Sequence, residues 1–152
     1  MAYLPEGDQP APVPAPDAGE AALATAWTSV LQDSSFSSLE RPGIERLAVQ
    51  LTRRLVRAVF DGASTGSAGQ HVGQMLVRTR FTGSTALSGT VELIGDLLPG
   101  CGSSGADVEV RARVCQVQGA VADGYTQALL ALALSEQEQI RRAALVARDQ
   151  AE

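Results

Sequence analysis

A chain of 152 residues, 45% apolar and 19% charged, has the length and balance of one water-soluble domain with a core plus appendages. Its net charge of −5 argues against non-specific nucleic-acid binding. It holds no apolar run of about 18 residues to span a bilayer and no basic-plus-apolar export signal, so no membrane partner and a cytoplasmic location are expected.

Residues 1–16 carry five of the seven prolines, including Pro10, Pro12, Pro14 and Pro16, and are expected to form a disordered or polyproline-like spacer. A capping-box pattern at Asp17 and Glu20 opens the first predicted helix, whose apolar positions are Leu23, Ala26, Trp27, Val30 and Leu31. Trp27, the sole tryptophan, sits on that stripe as a core anchor. A serine-rich loop with Phe36 follows, and Pro42 suits the first turn of the next helix. There Ile44, Leu47, Ala48, Leu51, Leu55, Ala58 and Val59 mark one face, with Arg46, Arg53, Arg54 and Arg57 largely on the other, until Asp61 and Gly62 end the run. Four arginines on one helix raise the question of phosphate binding, against the plainer reading of a solvated face.

The glycine and serine cluster at 62–69 reads as a loop, followed by a short helix with Val72, Met75, Leu76 and Thr79 that ends near Arg80. Thr82 suits the cap of its successor, where Leu87, Val91, Ile94 and Leu98 recur until Pro99-Gly100. A turn at 100–105 and a cap between Ser104 and Asp107 precede the longest helical pattern, residues 108–134. Val108, Ala112, Cys115, Ala122 and Leu129 make one stripe on it. A second comprises Val110, Val114, Val117, Val121, Tyr125 and Leu132, so the helix is expected to run through the middle of a bundle. Gly119 and Gly124 weaken it by roughly 1 kcal/mol each and are expected to admit a neighbouring helix or a ligand.

Ser135 and Glu138 form another capping box, predicting a separate helix over 135–152. Its Ile140, Ala144, Ala147 and Ala151 recur at four, three and four residues, the narrow seam of a coiled coil, while Arg141, Arg142, Arg148, Asp149 and Glu152 take the polar faces. No glycine or proline stop follows, which predicts a connector into a further domain. Strand alternation is absent throughout. The expected fold is an all-α bundle of five or six helices over residues 17–134, with a globin-like arrangement among the options, and a protruding C-terminal coiled-coil helix.

Chemistry-bearing groups are sparse. His71, the sole histidine, invites a haem hypothesis through one axial imidazole, but its place after a glycine-rich loop suits a surface or helix-start residue better. Cys101 and Cys115 have neither zinc spacing nor disulfide density, and two independent thiols are expected, Cys101 exposed in its turn and Cys115 in the core. No dinucleotide fingerprint, Walker loop, metal-ligand motif or nucleophile elbow occurs, so no catalytic residue, no metal and no catalysis are expected. All twelve basic residues are arginine, and lysine and asparagine are lacking, as codon usage in a high-GC bacterial genome favours.

Three stretches carry a family resemblance. Trp27-Thr28, residues 37–42 and Leu51-Thr52-Arg53-Arg54-Leu55 form the first; Val72-Gly73, Leu76-Val77, Phe81-Thr82-Gly83 and Leu87 form the second. The third is Glu136-Gln137-Glu138 with Ile140, Ala143-Ala144, Ala147-Arg148 and Ala151-Glu152. In order and spacing these resemble the N-terminal region of bifunctional diguanylate cyclase/phosphodiesterase proteins of high-GC Gram-positive bacteria, where the third stretch leads into a PAS domain. The resemblance implies a sensory or regulatory helical domain upstream of PAS, GGDEF and EAL modules that make and degrade cyclic di-GMP. Neither a Gly-Gly-Asp-Glu-Phe run nor a Glu-Ala-Leu signature lies in this chain, so no catalytic residue carries over.

The expected function is a non-catalytic signal-input domain that homodimerises through Ile140, Ala144, Ala147 and Ala151 and acts on downstream modules of the same polypeptide. The alternative is a sensor holding haem, a fatty acid or another apolar molecule between helices 108–134 and 44–60, with His71, Gly119, Gly124 and Tyr125 as the residues to watch.

Overall fold

The computed structural model describes residues 18–34, 39–102 and 107–151. The proline-rich stretch, Asp17, the loop around Phe36 and Ser104 lie outside the described residues. Five α-helices and one 3-10 turn make up the fold, with no strand among the described residues: α1 (Ala18–Asp33), α2 (Arg41–Phe60), α3 (Thr65–Arg78), α4 (Ser84–Leu97), the turn Leu98–Cys101, and α5 (Val108–Ala151). It is an all-α bundle.

Each boundary has a local cause. Pro42 occupies the first turn of α2, where its missing N–H costs nothing. The start of α3 departs from expectation, because the glycine and serine cluster is helical from Thr65 onward. Ser64 caps it, its Oγ accepting from the Ser67 N–H at 3.2 Å. At the other end Arg80 takes the left-handed conformation (φ 68°), the Phe81 N–H reaches back to the Leu76 carbonyl, and the Arg80 N–H to that of Val77. This is a Schellman closure, sealed by Phe81 and Leu76, both buried. Gly83, not Thr82, stands at the cap of α4. Asp107 caps α5 as expected, Oδ1 accepting from the Val110 N–H at 2.8 Å.

The core joins all five helices. Trp27 is fully buried, and its indole N–H donates to Thr90 Oγ1 at 3.0 Å, so the pair satisfies two polar groups inside an apolar layer. The same buried core holds Leu23 and Leu31 of α1, Leu51 and Leu55 of α2, and Ile94 of α4. The tightest contact is α3 against α5. A Cβ built on Gly69 would lie 2.6 Å from the Ala120 Cβ and 2.8 Å from the Val117 carbonyl oxygen, and one on Gly73 would strike the Val121 carbonyl and the Tyr125 backbone nitrogen. From the facing side, a Cβ on Gly124 would meet the Gln70 backbone, its Cα at 2.7 Å. Two small-residue pairs four apart, Gly69/Gly73 and Ala120/Gly124, therefore let the two backbones touch.

That contact decides how α5 sits. Val110, Val114, Val117, Val121 and Tyr125 are buried and Leu132 is half-buried, as expected for one stripe. The other stripe is not buried: Val108, Ala112, Cys115 and Leu129 are exposed and Ala122 is half-buried. Hence α5 lies along one side of the bundle instead of through its middle. The cysteines exchange places for the same reason. Cys101 is buried in its 3-10 turn, and Cys115 is exposed on the outer face of α5. Native protein is expected to react with a thiol reagent at one site, Cys115, and at two after denaturation; equal reactivity in both states would contradict this packing.

The separate helix expected at Ser135 does not exist, because α5 runs unbroken for 44 residues, about 66 Å at 1.5 Å per residue. A serine caps only where the backbone is extended, and residues 125–134, rich in alanine and leucine, hold no glycine or proline to interrupt the helix before Ser135. Glu138, the other half of the supposed box, instead pairs with Arg142 at 3.1 Å.

Candidate functional site

Two features stand out beyond the core. The first is an open groove of about 580 Å³ between α2 and α3. From α2 it is lined by Arg53, Arg54 and Arg57, with Leu47 and Leu51 one turn deeper. The spacing explains this, since positions 47, 50, 54 and 57 fall on one side of a helix. On α3, Ser64, Ser67, His71 and Met75 line the opposite wall at intervals of three and four.

No carboxylate lines the groove, and among the described residues Arg53, Arg54 and Arg57 form no ion pair. Burial lowers the His71 pKa below the ordinary histidine value, and the charges of Arg54 and Arg78 push it the same way. The imidazole thus registers a positive field. Such a field suits an anion and disfavours a metal cation, and no cluster of three metal-ligating side chains occurs among the described residues.

His71 is therefore a mid-helix groove residue, half-buried, and not the helix-start residue its sequence context suggested. The other expected pocket residues lie elsewhere. Gly119 faces open space, Gly124 is closed by the Gln70 backbone, and Tyr125 is buried with its hydroxyl donating to the Phe81 carbonyl at 3.3 Å. Burial raises the Tyr125 pKa. These three do not line one cavity with His71, and α5 packs chiefly on α3, not on α2. Ser64 and Ser67 were missed because their stretch read as loop; the signal was Ser64 preceding a run whose Val72, Met75 and Leu76 keep helical spacing.

The second feature is the far half of α5. Every residue from Ala133 to Ala151 is exposed, and the last tie to the body is a long ion pair, Arg80 to Glu136 at 3.9 Å. Ile140 is 71% exposed, and with Ala144, Ala147 and Ala151 it forms one line along this projecting rod. Ala133 and Leu129 fall on the same side beyond a polar step at Glu136 and Gln137, while Leu130 is exposed on one flank and Leu134 and Leu145 are exposed further round, towards the opposite face. Glu138, Arg142 and Asp149 take the opposite face, as helical spacing requires.

No described helix is long and apolar enough to cross a membrane. Comparison with protein-family models, curated proteins and solved structures gave no match for this chain.

Proposed function

We propose that this chain is a non-catalytic signal-input and dimerisation domain, whose projecting α5 pairs with that of a second copy and relays changes in helix packing to downstream modules. The observation that carries this reading is the exposed apolar line from Ile140 to Ala151 on a helix that has left its own core. A solitary rod has no reason to keep Ile140 in water, whereas Ile140, Ala144, Ala147 and Ala151, at alternating four and three spacing, make the kind of line a second helix covers. The rod from Leu129 to Ala151 is about 34 Å long. With a contact strip roughly 10 Å wide it buries about 340 Å² per helix, at the weak, transient end of protein interfaces. A weak pair suits a relay, because modest input energies then shift it between two packings.

Assignment of the output to cyclic di-GMP synthesis and degradation rests on the resemblance of the three stretches described above. It makes PAS, GGDEF and EAL modules of the same polypeptide the recipients.

The arrangement is tested by cysteine crosslinking. In a Cys115→Ser background, Ala144→Cys is expected to give a disulfide-linked dimer under mild oxidation, because equivalent seam positions of a parallel pair bring their Cβ atoms within bonding range. Asp149→Cys, on the opposite face, is expected to stay monomeric. The same two variants fused ahead of a GGDEF module are expected to differ in cyclic di-GMP output on oxidation. Equal crosslinking of both positions, or of neither, would refute the seam.

A further inference from the structure

The groove between α2 and α3 has a composition that the dimerising rod does not account for. Arg53 and Arg57 are four residues apart and Arg54 and Arg57 three, so their charges repel one another along the helix. Four arginines elsewhere are neutralised by a carboxylate, Arg41 by Glu45, Arg113 by Glu109, Arg142 by Glu138 and Arg80 by Glu136, whereas among the described residues none of the three in the groove has one. In a molecule of net charge −5, three guanidiniums gather in this groove without one carboxylate among the described residues of its lining. The first turn of α3 closes one end with Ser64 and Ser67, adding the partial positive charge of a helix start and two hydroxyls. Beneath the polar rim lie Leu47, Leu51 and Met75, an apolar floor that a bare ion would leave uncovered.

We propose that this groove binds a small phosphorylated molecule, its phosphate held by Arg53, Arg54 and Arg57 beside the start of α3 and its less polar body resting on Leu51 and Met75. Planar guanidinium forks match phosphate oxygens two at a time, and three of them converge on more charge than a single carboxylate carries. The groove's volume exceeds what a phosphate alone fills, which leaves room for the body. The overall acidity of the chain favours a small molecule over a nucleic-acid strand. The proposal stands apart from the dimer reading, since the groove is formed within one copy by α2 and α3.

His71 supplies the test, being the sole histidine and a lining residue. Its imidazole proton resonances would be followed by NMR in the full chain while sodium pyrophosphate is added at constant ionic strength. The expected result is a saturable shift with Kd below about 1 mM, together with a rise in the His71 pKa as the bound anion offsets the guanidiniums. The double variant Arg54→Gln/Arg57→Gln is expected to start with a higher His71 pKa and to lose the response at least about tenfold in affinity. Both side chains are exposed, and circular dichroism would check that the fold survives. A shift that never saturates, or one of equal strength in the double variant, overturns the proposal. Retention on anionic lipid vesicles without any response to free pyrophosphate also overturns it, by making a membrane surface the ligand.

Discussion

Gly73→Ala is expected to destabilise the protein by about 2 kcal/mol and to lower Tm by several degrees, although alanine is the better helix former. The added methyl would press on the Val121 carbonyl and the Tyr125 backbone nitrogen, which are fixed parts of α5 and cannot rotate aside as a side chain would. Overpacking of this kind costs about 3 kcal/mol, against a gain of about 1 kcal/mol in helix propensity. Gly119→Ala is the matched control. It changes the same residue type on α5 where a Cβ meets nothing within 4 Å, so only the propensity gain of about 1 kcal/mol remains and Tm rises. Chemical denaturation of the two variants beside the parent measures both signs. A neutral or stabilising Gly73→Ala would mean that α3 and α5 do not meet at backbone contact.

Ile140→Asp is expected to weaken self-association by about a thousandfold while leaving the folding of the body unchanged. In the proposed pair each Ile140 moves from 71% exposure into the seam, a transfer worth about 2 kcal/mol per side chain and hence about 4 kcal/mol for the two. A carboxylate there forfeits that gain and faces its own copy. Val146→Asp introduces the same charge at an exposed apolar position away from the Ile140 line, and it should leave association near the parent value. Sedimentation across a concentration series reads both variants. If Val146→Asp dissociates the protein as strongly as Ile140→Asp, the pairing face has been misplaced; if the parent is monomeric at every concentration, pairing through α5 is wrong.

These two expectations differ in how far the sequence led to them. The line of Ile140, Ala144, Ala147 and Ala151 was visible in the spacing, because a surface stripe on an isolated helix depends on period alone. The arginines of the groove were visible too, as one helix face, but their partner wall was not. His71, Ser64 and Ser67 lay in a stretch whose glycines read as loop, and glycine at a close helix contact carries the same letter as glycine in a turn. The apparent box at Ser135 misled for a related reason, since a serine followed by a glutamate marks a helix start only where the preceding chain has ceased to be helical.

By itself the sequence determined the class of fold, the Trp27 core layer, the proline at the start of α2, the aspartate cap of α5 and the apolar line on the rod. These follow from periodicity and capping, which act within a few residues. The tertiary structure alone decided which of the two stripes of α5 is buried, and with it the exchange of roles between Cys101 and Cys115. Both stripes were apolar enough to pack, and the choice fell to the valine face because Gly69 and Gly73 on α3 present bare backbone to it. Shape complementarity between elements far apart in the chain is a property of the pair, and no local pattern in either helix encodes it.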